Sequence, residues 1–439
     1  APVRSASRSV LQSFSLDGST VSIVSSNSCL GLPAAAVGAG SFRPGETPPS
    51  AICSLLAARL PHSRWSNLDP NSAMDRGKKQ GKFIANKNNK IYMDLKDIIR
   101  EVALPFLPAK SLRRCTTVCR EWKLQISTPF FAHSQSNSFH DLSGFFCRST
   151  SGEPTFIPLD PMAYGVADPS FSFLPEPVHV RCSSNGLVCC QGRSGQKPYY
   201  VCNPVTKQWT KLPKPNADHG SDPSIVIAFE PSLLNFVADY KLICAFPSDL
   251  DGCEFEIYSS ATKGWRISNE ICFGDSKLMS TPGVYAGGSV YWRSKTRGIL
   301  AFNLTSERST IQSSCGYSYS SSGEICALGF TNGKLAVASI TGPQLKVFQL
   351  SNTFTNTMQM NSRASAWNMN HEAVIESFLF EGNRLDQASA MFVGGDTVVI
   401  KAAKALVCYN MRTRRFSTVA ADVDFNSKMV PYVNSLVEM

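Results

Sequence analysis

His371 and Glu372 open like the zinc-hydrolase pattern HExxH, but Ile375 stands where the second histidine must be, so the pair cannot complete a metal site. The six histidines are scattered, without a nucleophile–histidine signature, and most are expected on the surface or in turns. No GxGxxG, GxxxxGK[ST] or GxSxG stretch occurs, which removes the common phosphate-cradling and acyl-transfer motifs. Fifteen cysteines form neither paired CxxC units nor a Cys/His zinc spacing. Several lie in apolar runs, such as Leu187-Val188-Cys189-Cys190, where free cysteine acts as a small hydrophobe. They are expected as reduced core residues of a cytoplasmic and/or nuclear protein. Asn303-Leu304-Thr305 fits a glycosylation sequon and reads equally well as a strand-to-turn signal. No catalytic residue, metal or cofactor is therefore expected; the chemistry to look for is binding.

The elements that would carry binding come from three unlike stretches of 439 residues, 43% hydrophobic and only 17% charged. That composition excludes a wholly disordered chain or a coiled coil, and no apolar run reaches the ~18 residues a membrane span requires. The net charge of +10 is unevenly placed: residues 1–92 hold eleven Lys/Arg against four acids, leaving +3 for the rest. A basic surplus concentrated in a tail argues against nucleic acid as the partner of a folded face. Residues 1–73, rich in Ser, Ala, Gly and Pro, are read as a disordered tail, a transit-type leader or translated upstream sequence, with Arg76–Lys90 as a basic linker.

Residues 93–140 read as short helices. Leu95, Ile98, Ile99 and Val102 fall on one helical face, and Pro105 is expected to stop that helix. Pro108 suits a new first turn, and Leu112, Cys115, Val118, Cys119, Trp122 and Ile126 extend a stripe until Pro129. The stripe is wider than so small a unit can bury, so its surplus either caps the downstream domain or docks on a partner.

Residues 141–439 read as an all-β domain built on an internal repeat. Tyr200-Val-Cys-Asn203, Phe255-Glu-Ile-Tyr258, Leu300-Ala-Phe-Asn303 and Leu406-Val-Cys-Tyr-Asn410 each run into a turn holding Thr206, Thr262, Ser306 or Thr413. Leu345-Lys-Val-Phe348 fills the remaining interval, and Asn185-Gly186, Gly287-Gly288, Asn332-Gly333 and Gly394-Gly395 precede the copies. A period of ~45–55 residues predicts a kelch-like β-propeller of about six blades, with a β-sandwich pair as the structural alternative. The aromatic after each turn (Trp209, Trp265, Phe416) is expected between blades, and Trp292 and Trp367 in the core. The Ser-rich stretch 313–323, with Tyr317 and Tyr319, is expected to be a flexible loop.

Leu107-Pro-Ala-Lys-Ser-Leu112, Val118-Cys-Arg-Glu-Trp122 and Ile126-Ser-Thr-Pro-Phe-Phe131 resemble the F-box of plant proteins. Ser184-Asn-Gly-Leu-Val-Cys-Cys190 and Tyr200-Val-Cys-Asn-Pro-Val-Thr-Lys-Gln-Trp209 resemble the kelch-like propeller associated with it. One departure is Lys96, where the family carries proline, so the first helix should start less sharply. The resemblance implies a substrate receptor of an SCF-type ubiquitin ligase, non-catalytic in itself. Its partners would be a Skp1-like adaptor, through it cullin and RING subunits, and a target protein held by the propeller; neither nucleic acid nor membrane is implied. Leu95, Ile98, Leu107, Pro108, Leu112, Val118 and Trp122 would carry the adaptor contact and local packing; the target-binding residues are not assigned. The alternatives are a non-degradative F-box scaffold and a propeller that binds a ligand or acts as an enzyme.

Overall fold

The computed structural model describes residues 11–16, 19–24 and 99–439, except 149–151, 163, 221, 274–277, 279–281, 295–297, 314–326, 352–366, 376–387, 403–404 and 421–427. Two units separate, Ala1–Asp94 and Leu95–Met439. In the first, β1 (Leu11–Leu16) pairs antiparallel with β2 (Ser19–Val24).

The second unit opens with a wide helical turn at Ile99–Ala103 and a tight one at Leu104–Phe106. Three helices follow: α1 (Ala109–Cys115), α2 (Arg120–Ile126) and α3 (Pro129–Ser138). Both prolines expected to end helices act differently. Pro105 sits inside the tight turn, where its missing N–H is not needed, and the chain straightens only at Leu107. Pro129 begins α3: it occupies the first turn behind Thr128, whose hydroxyl accepts the Phe131 N–H at 3.2 Å. The single stripe expected up to Pro129 is interrupted at 116–119, where Cys119 is extended and its sulfur caps α2 by accepting the Trp122 N–H.

The remainder is mainly β. The first blade holds β3 (Gly144–Arg148) and β4 (Pro154–Pro158). The second holds β5 (Val178–Ser184), β6 (Leu187–Gly192), β7 (Tyr199–Asn203) and β8 (Gln208–Lys211). The third runs through β9 (Ser224–Phe229), β10 (Tyr240–Ser248), β11 (Gly252–Ser259) and β12 (Gly264–Phe273). The fourth comprises β13 (Val284–Ala286), β14 (Ser289–Arg293), β15 (Gly298–Asn303) and β16 (Ser309–Ser313). The fifth comprises β17 (Ala327–Thr331), β18 (Lys334–Thr341), β19 (Gln344–Leu350) and β20 (Trp367–Val374). The sixth comprises β21 (Ser389–Gly394), β22 (Thr397–Ala402), β23 (Ala405–Asn410) and β24 (Arg415–Ala420). Finally β25 (Val430–Tyr432) returns to pair with β3, Val430 opposite Phe146, which closes the first blade with a strand from the far end of the chain.

Each pair of neighbouring blades shares an apolar core, and the cores go round the ring. Phe146 and Tyr432 meet Val188 and Tyr200; Tyr199 and Val201 meet Ile227 and Leu242; Phe255 meets Trp292 and Phe302. Tyr291 and Ile299 meet Val337 and Trp367; Leu345 and Val347 meet Val398 and Ile400; Phe392 and Val399 return to Phe145. Six blades are thus six shared cores, which is the expected propeller with its expected blade number.

The repeats define the blade. Every copy of the YVCN-type phrase is a third strand (β7, β11, β15, β19, β23), and Asn185-Gly186, Gly287-Gly288 and Asn332-Gly333 join first to second strands with positive φ at both residues. The residue after each Thr or Ser anchor (Lys207, Lys263, Glu307, Arg414) is left-handed, with φ of 51° to 62°. In the fourth and sixth blades Asn303 and Asn410 accept N–H groups of their own turn. The aromatics after the turn do not behave alike. Trp265 packs against Tyr199 of the neighbouring blade and Phe416 against the core between the fifth and sixth, but Trp209 is 41% exposed and touches only Tyr200 of its own blade among the rings described. β8 is an outer strand whose last three residues are exposed, so position in the repeat did not guarantee burial. Trp292 and Trp367 are buried.

Candidate adaptor-binding surface

The helices are fixed to the propeller by the segment that follows β25. Pro108 precedes α1 and has no side chain able to cap it; instead Asn434 Oδ1 accepts the Ala109 N–H at 3.2 Å. Asn434 donates its own N–H to Ser143 Oγ at 3.0 Å. From α3, the fully buried Gln135 donates to the Leu107 carbonyl at 3.2 Å and accepts from the Leu436 N–H at 3.3 Å. The same segment is held from below by Asn203, which donates to the carbonyls of Ser435 (3.0 Å) and Val437 (2.7 Å). Gly186 crosses so close that an added Cβ would come within 2.3 Å of Ser435. Lys110 donates to Pro161 O at 2.7 Å, and Arg113 donates to Val205 O.

Burial divides the seven residues expected at the adaptor contact. Leu95 and Ile98 lie outside the described residues. Leu107, Pro108 and Leu112 are buried within the chain, Leu112 with no exposed surface, so they hold the helices in shape. Val118 is 39% exposed and Trp122 half-buried. Two neighbours in sequence, not singled out by the stripe, are more exposed still: Leu124 at 60% and Phe130 at 53%. Of α2 only Ile126 is buried. A helix of seven residues is not stable by propensity alone, so α2 depends on its packing and leaves Leu124 and Trp122 outward.

The apolar surface continues onto the propeller. Phe130 meets Phe236 of the β9–β10 loop edge-on, with ring centroids 6.0 Å apart, and His133 Nε2 lies 3.0 Å from the Phe236 carbonyl. Burial holds the His133 pKa below its usual value, which favours the neutral ring. Leu233, Leu234 and Val237 of that loop are exposed as well. They lie more than ninety residues from the helical motif in sequence, and no periodicity connects the two.

The family description "F-box protein At3g26010-like, beta-propeller" matches residues 170–435, well over half of the chain. The chain belongs to this family of plant F-box proteins with a propeller. Its relatives include Arabidopsis thaliana F-box protein At5g49610, 37% identical over 25% of this chain and 30% of its own. F-box protein At5g07610 of the same plant is 29% identical over 56% of this chain and 61% of its own. F-box protein At5g03970, also from Arabidopsis, is 25% identical over 75% and 85%. The chain thus spans less than two thirds of the length of the first two. Among solved structures, an Aleuria aurantia lectin bound to α-methyl-L-fucoside is 13% identical over 63% of this chain and 90% of that one, at a TM-score of 0.36.

Within the propeller the described cysteines are free thiols, and burial raises those of Cys189, Cys190 and Cys244 well above their usual value. Two histidines are not in the expected surface positions: His133 and His219 are buried. His219 Nε2 lies 2.9 Å from Glu256 Oε2 and its Nδ1 3.1 Å from the Tyr199 hydroxyl. Glu256 also accepts the N–H groups of Asn216 and Ala217. These groups face the core between the second and third blades and pin the connection between them. The Ser-rich stretch at 314–323 lies outside the described residues.

Proposed function

We propose that the chain is the target-binding subunit of an SCF-type ubiquitin ligase. The helices hold a Skp1-type adaptor, which joins them to cullin and RING subunits, and the propeller presents a target protein. The observation that carries this reading is the outward apolar surface of Val118, Trp122, Leu124 and Phe130 in a helical region where Leu112, Ile126 and Phe131 are buried, in a chain of the F-box family. The chain's contribution to ubiquitin transfer is then effective concentration: a target lysine is held near the charged thioester, and no nucleophile or metal of its own is needed. A seam of buried hydrogen bonds through Asn434, Gln135 and Asn203 supports it, because proximity acts best when both ends of the scaffold are fixed. The free thiols suit a cytoplasmic or nuclear setting.

The test is adaptor capture. The double variant Trp122→Ala/Leu124→Ala should lose at least tenfold in affinity for a purified Skp1-type adaptor, in line with truncation of apolar anchors at an interface. Its melting temperature should stay close to that of the parent, since neither side chain is fully buried. Undiminished capture by this variant would remove the assignment.

A further inference from the structure

In four blades the first and second strands are joined by two residues: 185–186, 287–288, 332–333 and 395–396. In the third blade the same connection, from β9 to β10, takes ten residues, 230–239. A two-residue turn closes such a hairpin, so the extra chain is an insertion. It stands where the helices meet the ring, with Phe236 against the Phe130 ring and its carbonyl accepting from His133 Nε2. Ordering an insertion costs chain entropy, which folding ordinarily recovers by burying apolar side chains. Here most of them stay outside. Residues 231–238 carry no charge, yet Leu234 is 98% and Val237 69% exposed, with Leu233 and Phe236 exposed beside them.

The loop is nonetheless fixed in shape. At its entry the Phe229 carbonyl accepts from Asn185 Nδ2 at 2.7 Å and from Ser184 Oγ at 3.2 Å. Within it, Ser232 Oγ accepts the N–H groups of Leu234 and Asn235, and Asn235 Oδ1 accepts that of Val237. At its exit Ser260 Oγ accepts the Tyr240 N–H and donates to Asp239. The polar groups are thus turned onto the loop's own backbone and the aliphatic side chains are held outward, an apolar surface ordered before anything binds it. Phe130 belongs to two surfaces, because it is one of the outward residues of the helical region and its ring also meets the loop. The opposite end of the ring is unlike this: Arg148, His179, Arg181, Asp222 and Lys428 line a cavity of about 320 Å³ there. The seven residues of β5 span about 20 Å between that cavity and Asn185, whose carbonyl accepts from Ser136 of α3.

We infer that the β9–β10 loop is a second contact for the adaptor, which is gripped by the helices and the ring together. The inference rests on the receptor reading above and adds what sets the angle of the ring. A partner held at α2 alone can pivot; one also seated on Leu234 and Val237 cannot. The occupant is the adaptor because the patch continues the helical surface through Phe130 and lies at the helices' end of the ring. A fixed angle bears directly on transfer, since the effective concentration of a target lysine depends on where the ring points.

The experiment uses the full chain and a purified Skp1-type adaptor. Leu234→Asp/Val237→Asp should weaken capture about tenfold, chiefly through faster dissociation. It should melt as the parent does, because both side chains face solvent. A photoreactive benzoylphenylalanine in place of Leu234 should crosslink to the adaptor within the complex. The same group in place of Leu250, exposed in the β10–β11 turn at the other end, should not. Parental capture by the loop variant, or no adaptor crosslink from position 234, overturns the inference. Loss of capture by Trp122→Ala/Leu124→Ala on the same samples then leaves the ligase reading standing, whereas a parent chain that captures no adaptor removes both. Sedimentation of the parent alone tests another occupant: dimers that the loop variant disperses, with adaptor capture unchanged, would assign the patch to a second copy of this chain and overturn the inference.

Discussion

The two ends of the propeller are made from the same strands yet offer opposite surfaces. At one end Phe130, Phe236 and Leu234 stand exposed around helices that a polar seam locks in place. At the other, Arg148, Arg181 and Lys428 gather around a single aspartate. Between them the blades bury rings such as Tyr199, Phe255, Trp292 and Phe302 in shared cores, so neither surface is a by-product of poor packing. The difference teaches that the scaffold's stability and its surfaces can be altered separately: the ring supplies cohesion, and the strand ends supply chemistry.

That separation can be broken at the core. Trp292→Ala should cost about 3–5 kcal/mol through the cavity it opens between the third and fourth blades, whereas Phe130→Ala should cost under about 0.5 kcal/mol while still weakening adaptor capture. Chemical denaturation of both variants beside a capture assay decides it; equal loss of stability would show that the helical surface is itself structural. The seam comes next. Asn203→Ala strands two carbonyls of the 435–437 segment and should cost about 2–3 kcal/mol. It should also loosen the helices, visible as faster amide exchange at Gln135 and Ala109, and parental exchange there would contradict the seam as their anchor.

A smaller, pH-dependent effect belongs to the buried Glu256. Burial alone would raise its pKa, but the hydrogen bonds from His219, Asn216 and Ala217 outweigh this and hold it below the usual carboxylate value. A depressed folded value means its stabilisation is present above pH ~4.3, the unfolded value, and is lost as pH falls through the folded one. Glu256→Gln should therefore flatten the acid limb of the stability curve; an unchanged acid limb would place the proton-linked cost elsewhere. The smallest effect is at the left-handed turn residues. Lys207→Gly or Lys263→Gly relieves about 1–2 kcal/mol of backbone strain against about 0.5–1 kcal/mol of added chain entropy, for a net gain of about 0.5 kcal/mol.

Much of this was legible beforehand because it is local. Asn185-Gly186, Gly287-Gly288 and Asn332-Gly333 fix hairpin turns, and the YVCN phrases return at blade intervals, so a propeller of about six blades could be expected from spacing, although the first blade, closed by β25, carries no copy of the phrase. Proline was misjudged for a definite reason: its effect depends on which side of a cap it falls, and Thr128 turned Pro129 from a stop into a start. What could not be read was long-range. Nothing near Pro108 announces that Asn434 will cap α1, and nothing near Phe130 points to Phe236. The cationic pocket escaped for the same reason, since Arg148, Arg181 and Lys428 adjoin only after the ring closes.

That closure has a consequence for synthesis. A nascent polypeptide emerges with helices α1–α3 early and β25 almost three hundred residues after its partner β3, so neither the ring nor the seat of the helices exists until the closing segment has left the ribosome. A product stopped short of residue 430 would lack both at once. Such a chain could not display seated helices beside a half-built ring, and the architecture thereby acts as its own check on completeness.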